Sequence, residues 1–141
     1  MKTYVFDANA ILILMLDRPG ASRVVKILRE ADRQASRVFM SAVNWGEVVY
    51  SLCKVRGESE TKRLLLRVEQ LPMAVVAVDR ERASRAAELK ARHGLGYADS
   101  FAASLALEMA AMLVTADPEF HKIGKKLKVN LLPPHSAASS F

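Results

Sequence analysis

The sequence predicts an α/β domain built on a central, mainly parallel sheet. Three observations carry that prediction. Short, apolar, β-rich runs recur at residues 2–6, 38–40, 73–78, 112–115 and 129–132. Helix-forming segments separate them, which suits crossover connections between parallel strands. The runs are nearly continuous in their apolar character, as strands covered on both faces are.

Taken in order, residues 2–6 read as a short buried strand. Residues 8–16 form a short apolar helix, stopped by Asp17-Arg18-Pro19-Gly20. Residues 21–33 are strongly amphipathic, with Val24, Val25, Ile27, Leu28 and Ala31 on one face and the basic side chains opposite. After the strand at 38–40, Ser41 is placed to cap a helix from residue 42 to about 55, which Gly57 ends. A second amphipathic helix over 58–71 stops at Pro72. Asp79 caps a helix running to about His93, closed by Gly94 and Gly96. Residues 97–111 form a helix that is apolar on nearly all sides and therefore deeply buried. Asp117 and Pro118 open a short helix after the strand at 112–115, with proline in the first helical position.

The totals set bounds. A chain of 141 residues suits one domain, expected over 1–132, with 133–141 as a loose tail. A domain of this size buries roughly 70% of its unfolded surface, so it folds without disulfides or structural metal. The single cysteine, Cys53, rules out a disulfide framework and cysteine-cluster zinc sites. No apolar run approaches the roughly 20 residues of a membrane span, and Asp7 interrupts any signal-like core, so the expected location is cytoplasmic. Net charge is +6 with a pI near 9.7, which permits a polyanionic partner, although a solvated basic surface gives the same numbers.

Four acids stand in apolar surroundings where an unpaired charge is costly. Asp7 follows Tyr4-Val5-Phe6, Glu47 lies within Ala42 to Tyr50, Asp99 opens the small-residue run Ala98 to Ala106, and Asp117 follows Leu113-Val114-Thr115. Each has a plain structural explanation. Asp7 can cap the next helix, Glu47 can pair with Lys54, and Asp99 can interact with a helix dipole. Yet Asp7 and Asp117 both stand at the carboxyl ends of strands, where sites in open α/β sheets form. Asn9 is either a ligand or part of a turn. Thr115 is either a contact to metal-bound water or a β-former. Asn44, one turn before Glu47, can orient its carboxylate. Glu119, two residues past Asp117, is an outer ligand or nothing.

Clustered carboxylates suit a shared hard cation, Mg²⁺ or Mn²⁺. Phosphodiester hydrolysis is the chemistry that needs this, because a water must be deprotonated and a leaving alkoxide stabilised. His93, His121 and His135 are too scattered for a transition-metal site, and no glycine-rich phosphate loop is present.

The segments Val5-Phe6-Asp7-Ala8-Asn9-Ala10-Ile11-Leu12, Ser41-Ala42-Val43-Asn44-Trp45-Gly46-Glu47-Val48, Ala98-Asp99-Ser100-Phe101-Ala102-Ala103-Ser104-Leu105-Ala106 and Leu113-Val114-Thr115-Ala116-Asp117-Pro118-Glu119-Phe120 resemble, in order and spacing, those of PIN-domain ribonucleases. Within these, the chain is similar to the VapC-type toxins of prokaryotic toxin–antitoxin pairs. The resemblance implies a PIN-like three-layer α/β/α fold. It implies that Asp7, Glu47, Asp99 and Asp117 form the metal-binding catalytic cluster, with Asn9 and Thr115 at supporting positions. It also implies Mg²⁺- or Mn²⁺-dependent cleavage of RNA, a homodimer, and inhibition by a cognate antitoxin protein. Ala8 departs from the pattern, standing where a hydroxyl residue is frequent. On this reading Arg18, Lys54, Arg56, Lys122, Lys125 and Lys126 are candidates for contact with the RNA backbone.

Three alternatives stay open at this level. A PIN nuclease can act in ribosomal or transfer RNA processing without an antitoxin. A non-catalytic relative can simply grip RNA. A phosphatase of the haloacid-dehalogenase kind also uses an Asp after the first strand, but it wants a second acid where this chain has Asn9.

Overall fold

Side chains along a strand alternate between the two faces of its sheet, and β1 (Lys2–Phe6) uses that period to found two cores. Tyr4 and Phe6 pack into one apolar cluster, while Val5 packs into the other. The computed structural model describes residues 1–134. β1 pairs with β2 (Ser36–Ser41) on one side and β4 (Met112–Thr115) on the other; β3 (Ala74–Val76) and β5 (Val129–Leu131) form the edges. The order is β3-β2-β1-β4-β5, and every pairing is parallel.

Helices α1 (Ala8–Met15), α2 (Ala21–Asp32) and α3 (Ala42–Glu69) cover the face of Tyr4 and Phe6, contributing Ile11, Val24, Leu28, Val48, Leu52 and Val68 to that core. On the opposite face lie α4 (Arg80–His93), α5 (Tyr97–Glu108) and a 3₁₀ turn (Pro118–Ile123), supplying Leu89, Ala102, Ala103, Leu105, Ala106 and Phe120. The three-layer α/β/α arrangement follows from this two-sided burial.

Local chemistry explains the boundaries. The Ser41 hydroxyl accepts from the Val43 amide at 3.2 Å and opens α3. The expected break at Gly57 is present as a kink within one element, with φ 81° and ψ 164°, a conformation that glycine alone enters freely. Asp79 accepts from the Arg82 amide at 2.9 Å, and Gly94 closes α4 at φ 69°. Helix α5 stops at Glu108, three residues short of the expected end. Ala110 takes φ 50°, and the Ala111 amide donates to the Ala106 carbonyl at 2.8 Å, which turns the chain into β4. The short helix expected after Asp117 is a 3₁₀ turn rather than an α-helix.

The last residue of the expected domain is packed. Leu132 is buried, and its amide donates to the Thr115 carbonyl at 2.7 Å. Pro133 and Pro134, which begin the expected tail, are exposed, though a Cβ at Gly20 would approach Pro133 Cδ to 2.9 Å. The rest of that tail, including His135, lies outside the described residues.

This topology fixes where a site forms. From β1 the chain moves outward to β2 and β3, then returns to the other side of β1 for β4 and β5. The β1–β4 seam is therefore the switch point of the sheet, and the crevice beyond its carboxyl end is where ligands bind in open α/β folds.

Candidate metal centre

Asp7 and Thr115 sit at that seam. Phe6 is registered against Val114, and the Asp7 amide donates to the Val114 carbonyl at 3.3 Å. Asp7 is 2% exposed. Its Oδ1 accepts from the Ala10 amide at 3.2 Å, so it does cap α1. Its Oδ2 accepts a short hydrogen bond from the Thr115 hydroxyl. The plain explanation and the functional one therefore coexist in the same carboxylate.

Thr115 makes two hydrogen bonds at this seam. Its hydroxyl donates to Asp7, and its oxygen accepts from the Asp117 amide at 3.0 Å. Thr115 is fully buried and links Asp7 to the Asp117 backbone, setting the two relative to each other.

Asp99, in the first turn of α5, is half-buried and faces this seam from the neighbouring layer. Gly96 gives it room, since a Cβ there would sit 3.4 Å from Asp99 Oδ2. Carboxylate oxygens of Asp99, Asp117 and Glu119 all lie within 4.8 Å of one another. Asp117 Oδ1 accepts from the Glu119 amide at 2.9 Å, which turns Glu119 back toward the group. Glu119 is exposed and also lies 3.6 Å from the Lys122 ammonium. The sequence left Glu119 outside the core of the site; the structure puts it in the tightest carboxylate group among the described residues.

Glu47 comes from the other side. Asn44, fully buried one turn earlier, donates through Nδ2 to Glu47 Oε1 at 3.0 Å and to the Ala98 carbonyl at 3.1 Å. One amide thus ties the Glu47 carboxylate to the start of α5, beside Asp99. Lys54, the alternative partner offered by the sequence, instead lines a cleft between α1 and α3. Replacing Asn44 by Ala removes both bonds at a fully buried position. The expected cost is about 2 kcal/mol of stability, read as a lower urea midpoint at unchanged slope.

The electrostatics record the crowding. Burial pushes the Asp7 carboxyl up to about 7, with the charges of Asp99 and Glu47 adding to it and the Thr115 and Ala10 hydrogen bonds opposing. Asp99 is pushed up to about 6, first by burial, then by the charges of Asp117, Glu47 and Glu119 and by a side-chain hydrogen bond with Asp117. Asp7, Glu47, Asp99 and Asp117 thus come from four separate stretches of chain into one electrostatic neighbourhood. Asn9, two residues after Asp7, lines the α1–α3 cleft.

These residues fit a hard divalent cation. The donors are carboxylate oxygens without histidine or cysteine, the set that Mg²⁺ and Mn²⁺ take. The carboxyls of Asp7 and Asp99 are raised first by burial and then by their acidic neighbours, and a bound cation would offset both.

The PIN domain family model matches residues 4–126. Among solved structures, the chain is similar to one in the VapBC2 complex of Rickettsia felis bound to a promoter DNA fragment, at 17% identity and TM-score 0.74, over 92% of this chain and 98% of that one. It is similar to a chain of VapBC-1 from nontypeable Haemophilus influenzae at 24% identity and TM-score 0.65, over 92% and 97%. VapC20 of Mycobacterium tuberculosis, described as a sarcin–ricin loop cleaving toxin, matches at 14% identity and TM-score 0.69, over 89% and 98%. No curated protein matches the sequence. The family match spans nearly the whole domain, from within β1 to just before β5, and includes every acid of the cluster: the chain belongs to the PIN domain family.

Proposed function

We propose that this protein is a metal-dependent endoribonuclease that hydrolyses RNA phosphodiester bonds, acting as the toxin of a toxin–antitoxin pair. The observation that carries this reading is the gathering of Asp99, Asp117 and Glu119 beside Asp7 and Glu47 at the β1–β4 switch point. The toxin assignment draws on the similarity to chains of VapBC complexes and to a toxin that cleaves the sarcin–ricin loop. A cognate antitoxin and a homodimer belong to the same proposal, as does a single nuclease domain over 1–132.

Asp99, Asp117 and Glu119 would hold Mg²⁺ or Mn²⁺, with Asp7 and Glu47 completing the negative cradle. When bound, such a cation lowers the pKa of a water and stabilises charge developing on phosphate and leaving oxygens. Thr115 holds the Asp7 carboxylate in one rotamer and fixes the Asp117 backbone beside it. Asn44 keeps the Glu47 carboxylate turned toward the start of α5. Without a cation, burial raises the Asp7 carboxyl to about 7; a bound cation would favour its ionised form. The net charge of +6 draws RNA toward a site whose own side chains are acidic.

The test uses the full chain purified free of any antitoxin. Cleavage of RNA should require Mg²⁺ or Mn²⁺ and stop on addition of EDTA. RNA binding without cleavage in either metal would favour the non-catalytic alternative. Cleavage with no inhibitory protein encoded beside the gene would favour RNA processing.

A further inference from the structure

Helices α1 and α3 enclose a cleft of about 500 Å³ that the carboxylate cluster does not use. Its position follows from helix periodicity. On α3, Glu47, Tyr50, Ser51 and Lys54 stand at i, i+3, i+4 and i+7, one stripe down one face. On α1, Asn9 and Leu12 stand at i and i+3, and Leu16 follows at the C-cap, i+7. The stripe of α3 starts at a cluster acid, and that of α1 starts two residues after Asp7. The cleft therefore begins about one helical turn from Glu47 and two residues from Asp7, and runs between the two helices.

Its lining changes along that path. Leu12, Leu16 and Val55 give an apolar floor, and Asn9 and Ser51 offer polar edges. Tyr50 also lines the cleft and is 66% exposed; of the other tyrosines, Tyr4 is buried and Tyr97 is exposed at 55%. Arg18 and Lys54 also line the cleft, with no acid in its lining. Arg56 adds to the positive field at this end, because its charge, after burial, lowers the Arg18 guanidinium. An acidic cluster thus lies at one end, a flat aromatic and an apolar floor in the middle, and cations at the other. Between Glu47 and Lys54 the helix rises about 10.5 Å, a span suited to the nucleotide beside a phosphate held at the cluster.

We propose that the α1–α3 cleft is a nucleotide subsite that takes one base of single-stranded RNA, stacked on Tyr50, and presents the phosphate beyond it to Arg18 and Lys54. This rests on the endoribonuclease reading and adds to it a requirement for an unpaired, extruded base next to the cleaved bond. Charge decides for a polyanion over a neutral or basic occupant. The aromatic, with room for a planar ring, decides for a nucleotide over a bare phosphate. Tyr50 accepts any base, since every base has a π-face, so this subsite selects single-strandedness more than sequence.

The experiment is an abasic scan. Short single-stranded oligoribonucleotides, each lacking the base at one position around the cleavage site, are cleaved by the wild type, Tyr50→Ala and Tyr50→Phe with Mn²⁺. Wild type should lose about tenfold or more in kcat/KM at one flanking position only. Tyr50→Ala should show that loss on intact RNA and no further loss on the abasic substrate, mainly in KM; Tyr50→Phe should stay within about twofold of wild type. Arg18→Gln and Lys54→Gln should each lower the salt slope of RNA binding by about one. A flat abasic scan in a wild type that cleaves RNA overturns the subsite alone. Wild-type protein that cleaves no RNA overturns the functional reading and this one together. If Tyr50→Ala cleaves normally but escapes inhibition by the cognate antitoxin, the cleft is a protein groove and the subsite is overturned.

Discussion

Asp99→Asn should lower metal-dependent RNA cleavage roughly a thousandfold while leaving the fold intact. The substitution keeps the shape of the side chain and removes one negative charge from the Asp99–Asp117–Glu119 group. A hard divalent cation depends on anionic oxygen ligands. Its Lewis-acid contribution is several kcal/mol, and each 1.36 kcal/mol is tenfold in rate. Stability should not fall, because the wild-type carboxyl is already pushed up to about 6 by burial and by its acidic neighbours. Glu119→Gln should cost far less, about tenfold, since Glu119 is exposed and shared with Lys122. Single-turnover kinetics, with Mn²⁺ titration by calorimetry, separate lost affinity from lost chemistry. If Asp99→Asn retains metal-dependent cleavage within tenfold of wild type, the carboxylate group is not the reacting centre.

In the absence of metal, Asp7→Asn should make the protein more stable above pH 7. The Asp7 carboxyl is 2% exposed and lies near 7 in the folded state against about 3.8 when unfolded. The folded state therefore holds this proton more tightly than the unfolded chain. Its contribution is fully present below about pH 3.8, is lost progressively as pH rises, and is gone above about 7. Three units correspond to on the order of 4 kcal/mol. Asparagine stays neutral throughout, can still accept from the Ala10 amide, and can donate to the Thr115 oxygen. Other carboxyls shift the opposite way: the side-chain hydrogen bond from Arg82 holds Glu108 below its usual range. The difference between wild type and variant isolates Asp7. Urea midpoints in EDTA from pH 4.5 to 8 should converge at the acid end and separate by about 2 kcal/mol or more at the alkaline end. Added Mn²⁺ should close that gap by stabilising only the wild type. Parallel curves across the whole range would mean that the Asp7 charge is not desolvated.

Much of the fold was legible because its signals are local. Caps, glycine stops and apolar periodicity involve neighbours in sequence, and Asp7, Ser41, Asp79, Gly57 and Gly94 punctuate the chain where expected. The boundaries that moved had tertiary causes. Residues 109–111 are compatible with helix, yet the chain must reverse there to enter β4, so α5 ends at Glu108. The 3₁₀ form of 118–123 depends on Phe120 and Ile123 reaching the core from a six-residue segment.

The site divides in the same way. Its acids were legible because carboxylates in apolar segments are costly without a purpose, and the resemblance tied them into one set. By itself the sequence determined an α/β chain, its elements, and the acids Asp7, Glu47, Asp99 and Asp117. Only the tertiary structure decided that Glu119 joins Asp99 and Asp117, that Thr115 links Asp7 to the Asp117 backbone, that Asn44 holds Glu47 to α5, and that Asn9 faces a neighbouring cleft. The reason is physical: a residue's chemistry is local, but which oxygens meet depends on strand order and helix packing between segments up to about a hundred residues apart, contacts whose closure entropy only the assembled core repays.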